Sequence, residues 1–193
     1  MYNTSFLLLS KRMLLVWLSF ASFYSFGQPE EVMKIMNEAR TDPQAFLQTR
    51  LIPYLKDKNM ESNSYAQSLI ADLKSAGKVK PFVSSEVLTK LARGHAQDMG
   101  SHGKVGHNSS NGTTFVNRLR KKIKTGMIAE NCDYGNTDPL DIVMSLLIDD
   151  GITSLGHRKN ILYPQLAYVG IAIEKHKTYG MNCVMDFAQT VGK

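Results

Sequence analysis

The segment "AYVGIAIEKHKTYGMNCVMDFAQTV" (Ala167–Val191) decides the fold class, because it holds two runs of alternating apolar and polar residues joined by a short polar stretch. Alternation with a period of two is typical of strands that bury one face. A short polar loop between two such runs joins neighbouring strands that run in opposite directions. We therefore predict an antiparallel hairpin at the end of the chain.

Helical patterns dominate the sequence before this hairpin. Apolar residues recur at helical spacing in "EEVMKIMNEAR" (Glu30–Arg40) and "EVLTKLARGHAQDMGSH" (Glu86–His102). Two aspartate–proline pairs, Asp42-Pro43 and Asp138-Pro139, open further helices, because aspartate caps a helix and proline suits its first turn. Helices and strands do not alternate strictly, so the predicted class is α+β, with helices packed on an antiparallel sheet.

The first 27 residues differ from the rest of the chain. Lys11 and Arg12 precede an uncharged apolar stretch of about 15 residues that ends in small residues. This length is typical of a signal-peptide core and is short for a membrane span. We predict that residues 1–27 are a signal peptide, with an uncleaved anchor as the alternative. Residues 28–193 are then one secreted or periplasmic domain.

The composition is that of a soluble domain with a mild basic excess. Of its residues 43% are hydrophobic and 21% are charged, as in ordinary globular proteins. Loss of residues 1–27 removes two basic residues and lowers the net charge from +6 to +4. The basic run "RLRKKIK" (Arg118–Lys124) has Leu119 and Ile123 four positions apart, which favours an amphipathic helix with a solvated basic face. We expect no nucleic-acid partner.

Two carboxylates end the most apolar helix of the sequence. In "SLLIDDGITSLGHRKNIL" (Ser145–Leu162), Asp149 and Asp150 come just before Gly151, which we predict to be the left-handed stop of the helix. A carboxylate at a helix C-terminus costs about 0.3–1 kcal/mol. Either water screens this helix end or a cation lies nearby: Arg158, a protonated histidine or a metal ion.

Three other segments supply groups that could share a site with those aspartates. His107 lies in a glycine-rich loop, His157 follows the helix end, and the strand pattern "MIAENCDYG" puts Glu130 and Cys132 on one face. An unpaired buried carboxylate is unfavourable, so Glu130 needs a partner. Two imidazoles and two carboxylates can bind a divalent ion such as zinc or share protons. His95, on the apolar face of its helix, is interpreted as a core residue bonded to backbone.

The chain resembles the CAP superfamily of cysteine-rich secretory proteins, antigen five and pathogenesis-related proteins, also called SCP domains, in its bacterial form. The matching stretches are "NEAR" (Asn37–Arg40), "LARGHAQDM" (Leu91–Met99), "GHNSSNGTTFVNRL" (Gly106–Leu119), "AENCDYG" (Ala129–Gly135), "LLIDDGITSLGHRKNIL" (Leu146–Leu162) and "YVGIAI" (Tyr168–Ile173). The resemblance extends from about Glu30 to Ala188. It implies a three-layer α–β–α sandwich with a small central antiparallel sheet.

The resemblance also implies an open cleft with a tetrad of two histidines and two acidic residues. On this sequence the tetrad matches His107, Glu130, His157 and, at the fourth position, Asp150. Better-known members have glutamate there, so aspartate is a departure, and Asp149 is expected to be its solvated neighbour. In the family the tetrad binds divalent metals in some members, whereas others bind sterols or fatty acids, and no general enzymatic activity is agreed.

The chain has two cysteines, Cys132 and Cys183. In an oxidising compartment a lone pair of cysteines suggests a disulfide, and the alternative is two buried thiols that never meet. The resemblance favours the bridge, since it places both residues in strands of one sheet.

Three functions follow as hypotheses. The first is a secreted, monomeric binding module that holds a divalent ion such as zinc through His107 and His157 and offers its cleft to an extracellular peptide, lipid or glycan. The second is a hydrolase, with peptidase as the favoured class, in which Glu130, His107 and His157 are the catalytic candidates. The third is a lipid or sterol carrier. Any membrane contact is expected only through an uncleaved leader.

The hydrolase hypothesis has two versions. In one, Glu130 is the general base for a metal-bound water; in the other, His107 activates Ser109 or Ser110. No G-x-S-x-G elbow surrounds either serine. Asp149, Ser109 and Arg158 are secondary candidates for the site.

Overall fold

The computed structural model describes residues 27–192, so the predicted signal peptide lies outside the described residues except for Gly27. The elements are α1 (27–41), α2 (Pro43–Phe46), a π-helical turn (Leu47–Leu51), α3 (Ile52–Asp57), α4 (Ser64–Ser75), β1 (Val83–Ser84), α5 (Glu86–His102), α6 (Phe115–Arg120), β2 (Ile128–Tyr134), α7 (Pro139–Ile148), α8 (Gly156–Leu162), β3 (Tyr168–His176) and β4 (Gly180–Ala188). Among the described helices, none has both the length and the apolar character needed to cross a membrane.

One four-stranded sheet forms the centre of the domain, in the order β1-β3-β4-β2. The predicted hairpin is confirmed, because β3 and β4 pair antiparallel from Tyr168 opposite Ala188 to His176 opposite Gly180. Strand β2 pairs antiparallel with the other side of β4. The sheet is not wholly antiparallel, since the two-residue strand β1 runs parallel to the start of β3.

Helices cover both faces of the sheet, as the predicted α–β–α sandwich requires. On one face, α5 lies so close to β3 that a Cβ atom at Gly170 would be 2.0 Å from the backbone nitrogen of Thr89. The opposite face packs against the main core. Its buried residues include Met36, Phe46, Leu69, Leu147, Ile161, Ile171, Met185 and Phe187, from α1, the segment after it, α4, α7, α8 and the sheet.

The predicted disulfide is wrong, because the register separates the two cysteines. Cys132 lies opposite Val184, whereas Cys183 lies opposite Asp133. Successive residues of a strand point to opposite faces, so the two side chains lie on different sides of the sheet. Both cysteines are free thiols. Two strands of one sheet are therefore not enough for a bridge; the residues must also share a face.

The predicted basic helix is shorter than expected. Helix α6 ends at Arg120, whose guanidinium donates hydrogen bonds to the carbonyl oxygens of Ile123 and Gly126 beyond the helix. Lys121, Lys122 and Lys124 are exposed, as a solvated basic face requires. The two arginines of the run differ from these lysines, because Arg120 is half-buried and Arg118 is buried.

Candidate functional site

His107 and His157 line one cleft with a volume of about 380 Å³. His107 comes from the loop after α5, and His157 from the first turn of α8. The other lining residues are Val105, Gly106, Cys132, Tyr134 and Tyr179. The fold thus brings two imidazoles from distant parts of the chain to one partly apolar opening.

The first histidine is paired with a buried carboxylate. The Nδ1 atom of His107 is 2.8 Å from Oε1 of Glu130, whose side chain is completely buried. The other oxygen of Glu130 accepts a hydrogen bond from the Arg118 guanidinium. Arg118 also donates to the carbonyl oxygen of His107 at 2.9 Å. Arg118 therefore neutralises Glu130 and ties the His107 loop to the sheet.

These partners decide the charge of Glu130. Burial on its own raises the pKa of Glu130, but the hydrogen bond with His107 and the positive charge of Arg118 outweigh burial, and the pKa is lowered. Glu130 is therefore ionised at neutral pH. Because both its oxygens are engaged and buried, it is poorly suited to take a proton from a water in the cleft.

The second histidine is paired with Asp149, whereas Asp150 was expected. The Nδ1 atom of His157 is 2.7 Å from Oδ1 of Asp149, and the backbone N–H of His157 donates to Oδ2 at 2.9 Å. Asp149 is buried. Asp150 is exposed and accepts a hydrogen bond from Nδ2 of Asn63 at 3.0 Å. The expected roles of the two aspartates are reversed.

The two roles are reversed because α7 ends earlier than predicted. Asp149 itself adopts the left-handed conformation that ends α7, with φ of 60°, two residues before the predicted stop at Gly151. Its carboxylate then accepts hydrogen bonds from two backbone amides in the first turn of α8, those of His157 and Arg158. Amide N–H groups at a helix start are favourable partners for an anion. The carboxylate that is unfavourable for α7 is therefore favourable for α8.

Arg158, a secondary candidate, lies beneath α7 instead of in the cleft. Its buried guanidinium donates to the carbonyl oxygens of Leu147 and Ile148 at 2.7 and 2.9 Å. It also donates to the carbonyl oxygen of Tyr65 and to the Asp72 carboxylate of α4. Arg158 is thus a cation at the C-terminus of α7, where it satisfies carbonyls that the helix leaves free.

His95 is a core residue, as expected. It is buried, and its Nε2 atom is 2.9 Å from the carbonyl oxygen of Gly106. Burial lowers the pKa of His95, so the ring is neutral. The ligand atoms of His95, Glu130 and Cys132 lie within 4.8 Å of one another, and this group could hold a metal ion. Burial raises the pKa of the Cys132 thiol well above its ordinary value.

The two candidate serines have other partners than His107. The hydroxyl of Ser110 donates to Oδ1 of Asp98 at 2.5 Å, and its backbone N–H donates to Oδ2 at 2.7 Å. The hydroxyl of Ser109 lies 3.5 Å from Nη1 of Arg118. Within residues 27–192, neither serine is hydrogen-bonded to His107. The geometry therefore gives no support to a serine nucleophile activated by that histidine.

Two residues at this site were missed by sequence reasoning. Arg118 lies in the basic run Arg118–Lys124, and nothing in the sequence of that run distinguishes it from the other cations. Asp186 lies opposite Glu130 in the sheet and is completely buried. Asp186 did leave a signal, since it falls between Val184 and Ala188 on one buried face of the strand pattern.

The chain is similar to proteins of one known family over most of its length. A family model described as "CAP: Cysteine-rich secretory protein family" matches residues 33–187. An outer surface protein from Borrelia burgdorferi is a similar solved structure, with a TM-score of 0.48 and 17% identity over 69% of this chain and 92% of that one. An extracellular protein from Bacillus anthracis that contains an SCP domain has a TM-score of 0.46 and 19% identity, over 69% of this chain and 42% of that one. No curated protein matches.

Proposed function

The chain belongs to the cysteine-rich secretory protein (CAP) family, and from its cleft we propose that it is an exported binding module that holds a divalent metal ion, such as zinc, between His107 and His157. The observation that carries this proposal is that both histidines line one cleft, and that the Nδ1 atom of each is hydrogen-bonded to a buried carboxylate, Glu130 or Asp149. Export is supported by the predicted leader and by the family.

The two carboxylates determine which ring nitrogen is available. Each carboxylate accepts a hydrogen bond from an Nδ1–H group, so the proton of the neutral ring stays on Nδ1 and the lone pair is on Nε2. A carboxylate behind a histidine is the usual arrangement that orients the ring and raises its basicity toward a metal. His107 and His157 are therefore suited to be the protein ligands, with Glu130 and Asp149 orienting them. A bound ion would act as a Lewis acid toward a ligand that enters the cleft.

The buried group of His95, Glu130 and Cys132 fits an ion less well. Nε2 of His95 already bonds the carbonyl of Gly106, and Glu130 already has two donors. The Arg118 guanidinium beside Glu130 would also repel a cation. We therefore assign the ion to the cleft histidines, whose side chains are 50% and 23% exposed.

Calorimetric titration of the mature protein with zinc tests the proposal. We expect one binding event per molecule, abolished in the double variant His107→Ala, His157→Ala. His102→Ala is the matched control, because that histidine is exposed on α5 and does not line the cleft. Zinc affinity that survives the double variant would contradict the proposal, and a loss in the control instead would place the metal outside the cleft.

A further inference from the structure

Asp186 is a carboxyl group in the centre of the sheet that the proposed ion site does not use. It lies on β4 between two neighbours in register, Glu130 of β2 and Gly170 of β3. Its exposed fraction is 0%. Within residues 27–192, neither of its oxygens receives a hydrogen bond. An ionised carboxylate without donors in a dry interior would be strongly destabilising.

The packing around Asp186 keeps water away. Directly opposite residues of adjacent strands point to the same face, so Asp186 shares the α5 face with Glu130 and Gly170. Helix α5 packs directly against Gly170 and so covers this row of three residues, Glu130, Asp186 and Gly170. The oxygens of Asp186 have no exposed surface through which solvent could supply the missing hydrogen bonds.

The charges around this row determine where a proton belongs. The charged groups are Asp186, Glu130 and the guanidinium of Arg118, and the nearby His95 is neutral. Two ionised carboxyls beside one cation would leave a negative charge unpaired in the interior. Glu130 receives N–H groups from His107 and Arg118, whereas Asp186 receives none within residues 27–192. The negative charge is therefore better stabilised on Glu130, and the proton belongs on Asp186.

We infer that Asp186 is a neutral carboxylic acid whose hydroxyl donates a hydrogen bond to Glu130, and that this bond positions the carboxylate that orients His107. The hydroxyl of a protonated carboxyl donates a hydrogen bond, so Asp186 needs an acceptor. The lack of donors is then much less destabilising than it would be for an ionised carboxylate. In agreement with this, burial and the neighbouring Glu130 raise the pKa of Asp186 well above its ordinary value. Asp186 is thus a positioning residue, two hydrogen bonds away from the cleft.

The consequence for the site is a hydrogen-bonded chain from the core to the cleft. Asp186 donates to Glu130, Glu130 accepts from Nδ1 of His107, and the ring presents Nε2 to the opening. Removal of the first donor leaves Glu130 held by Arg118 and His107 alone and weakens its hold on the His107 tautomer. The inference rests on the proposed function only for its last step, the effect on metal affinity.

Infrared spectroscopy of the metal-free protein tests the protonation state. A neutral carboxylic acid has a carbonyl stretch that ionised carboxylates lack. We expect this band in the wild type at neutral pH, its loss in Asp186→Asn, and its retention in the control Asp133→Asn. Asp133 is a fitting control because it is a buried aspartate of the same sheet whose Oδ2 accepts hydrogen bonds from Ser145 and Asn136, whereas neither oxygen of Asp186 has a donor within residues 27–192. No band in the wild type, or a band that keeps its full wild-type intensity in Asp186→Asn, would overturn the inference.

Nitrogen NMR of the histidine rings tests the positioning role. Asp186→Asn keeps a donor toward Glu130 and should leave His107 in the Nδ1–H tautomer, whereas Asp186→Ala should mix in the other tautomer. Asp133→Ala removes a buried carboxyl from the opposite face and should leave His107 unchanged. An unaltered His107 tautomer in folded Asp186→Ala would refute the role. If Asp186→Ala does not fold, the infrared result and the asparagine variant still decide.

Zinc affinity separates this inference from the proposed function. Loss of a residue that orients a ligand typically weakens binding by about 10- to 100-fold. Because Asp186 acts through Glu130, which keeps Arg118 and His107 as partners, we expect a loss at the lower end of this range, about 10-fold, in Asp186→Ala and near wild-type affinity in Asp186→Asn. Equal affinity in both variants would contradict the inference while zinc binding itself stands. If the wild type binds no zinc, the proposed function fails, and the infrared and tautomer results still judge the role of Asp186.

Discussion

The two histidine–carboxylate pairs of the cleft, His107–Glu130 and His157–Asp149, have the same hydrogen bond at Nδ1 but differ in the groups that hold the carboxylate. Glu130 lies in a regular strand, and its partners Arg118 and Asp186 come from other elements. Asp149 lies in a left-handed turn and bonds the backbone amides of α8 only a few residues further along the chain. One pair depends on tertiary packing, and the other on a local turn.

This difference determines what stabilises each negative charge. At Glu130 a full positive charge compensates the carboxylate in a closed interior. At Asp149 the compensation comes from the ring N–H of His157 and the amides at a helix start. Substitutions at the two pairs should therefore destabilise the protein for different reasons: loss of a compensating cation at Glu130, and a change of backbone conformation at Asp149.

The largest effect is expected from Arg118→Met. The substitution leaves Glu130 buried without its cation, and breaking a buried ion pair from one side costs about 3–5 kcal/mol. Urea denaturation at neutral pH should show this loss in the free energy of unfolding. The loss should shrink at low pH, where Glu130 takes up a proton.

Lys121→Met is the control for that experiment. Lys121 follows Arg118 on the same basic run but is exposed, so its replacement should change stability by no more than about 0.5 kcal/mol. Equal losses in the two variants would mean that Arg118 is simply part of a solvated basic face, as its sequence context suggested.

A pH-dependent effect is expected from Asp186→Asn. An acid whose pKa is raised in the folded state makes the protein less stable as pH rises above the unfolded-state pKa, about 3.9 for aspartate. The asparagine variant lacks this decline. Its stability relative to wild type should therefore increase from pH 4 upward, with a slope of at most about 1.4 kcal/mol per pH unit. Urea denaturation at a series of pH values measures this slope.

Asp150→Asn provides the contrast at the other pair. Asp150 is exposed beside Asp149, so its replacement should change stability by no more than about 0.5 kcal/mol. The lowered pKa of Glu130 contributes stability that is present above its ordinary titration range and is lost as pH falls below it, so the curves are compared from pH 4 upward. Parallel curves for Asp186→Asn and wild type would mean that Asp186 is ionised.

A smaller effect with opposite signs is expected from alanine and glycine at the two acids. Either substitution removes the carboxylate, so the alanine–glycine difference reports the backbone. At Asp149 glycine should be the more stable by about 1 kcal/mol, because it adopts the left-handed conformation without strain. At Glu130 alanine should be the more stable by about 0.5–1 kcal/mol, since glycine weakens a strand. Thermal denaturation of the four variants measures both differences, and the same sign at both positions would contradict the comparison.

Sequence reasoning reached the first pair more readily than the second. The strand period placed Glu130 on a buried face, and the hairpin pattern predicted the strand it pairs with. The choice between Asp149 and Asp150 depended on which residue enters the left-handed region, and the glycine two positions later was the stronger signal. Gly151 does adopt that conformation, with φ of 79°, but Asp149 adopts it two residues earlier, where its carboxylate accepts hydrogen bonds from amides of α8.

The sequence did not predict which side chains of neighbouring strands lie on the same face of the sheet. The pairing of Cys132 with Cys183 and the pairing of Glu130 with Asp186 both depend on one number, the register of β2 against β4. A shift of one residue exchanges faces, and hydrophobic alternation in each strand alone does not set the register between them. The observed register excludes the disulfide and creates the buried acid pair.

The two thiols allow that register to be checked without any change in stability. Cys132 lines the cleft, and Cys183 is 0% exposed on the opposite face. Burial raises the pKa of both thiols, so both should react slowly with an alkylating reagent. We expect Cys132 to be modified first in the native protein and Cys183 only after denaturation. Mass spectrometry of the unreduced protein should find two free thiols. A mass lower by two hydrogen atoms, or labelling of Cys183 first, would require a different register and would remove Asp186 from Glu130.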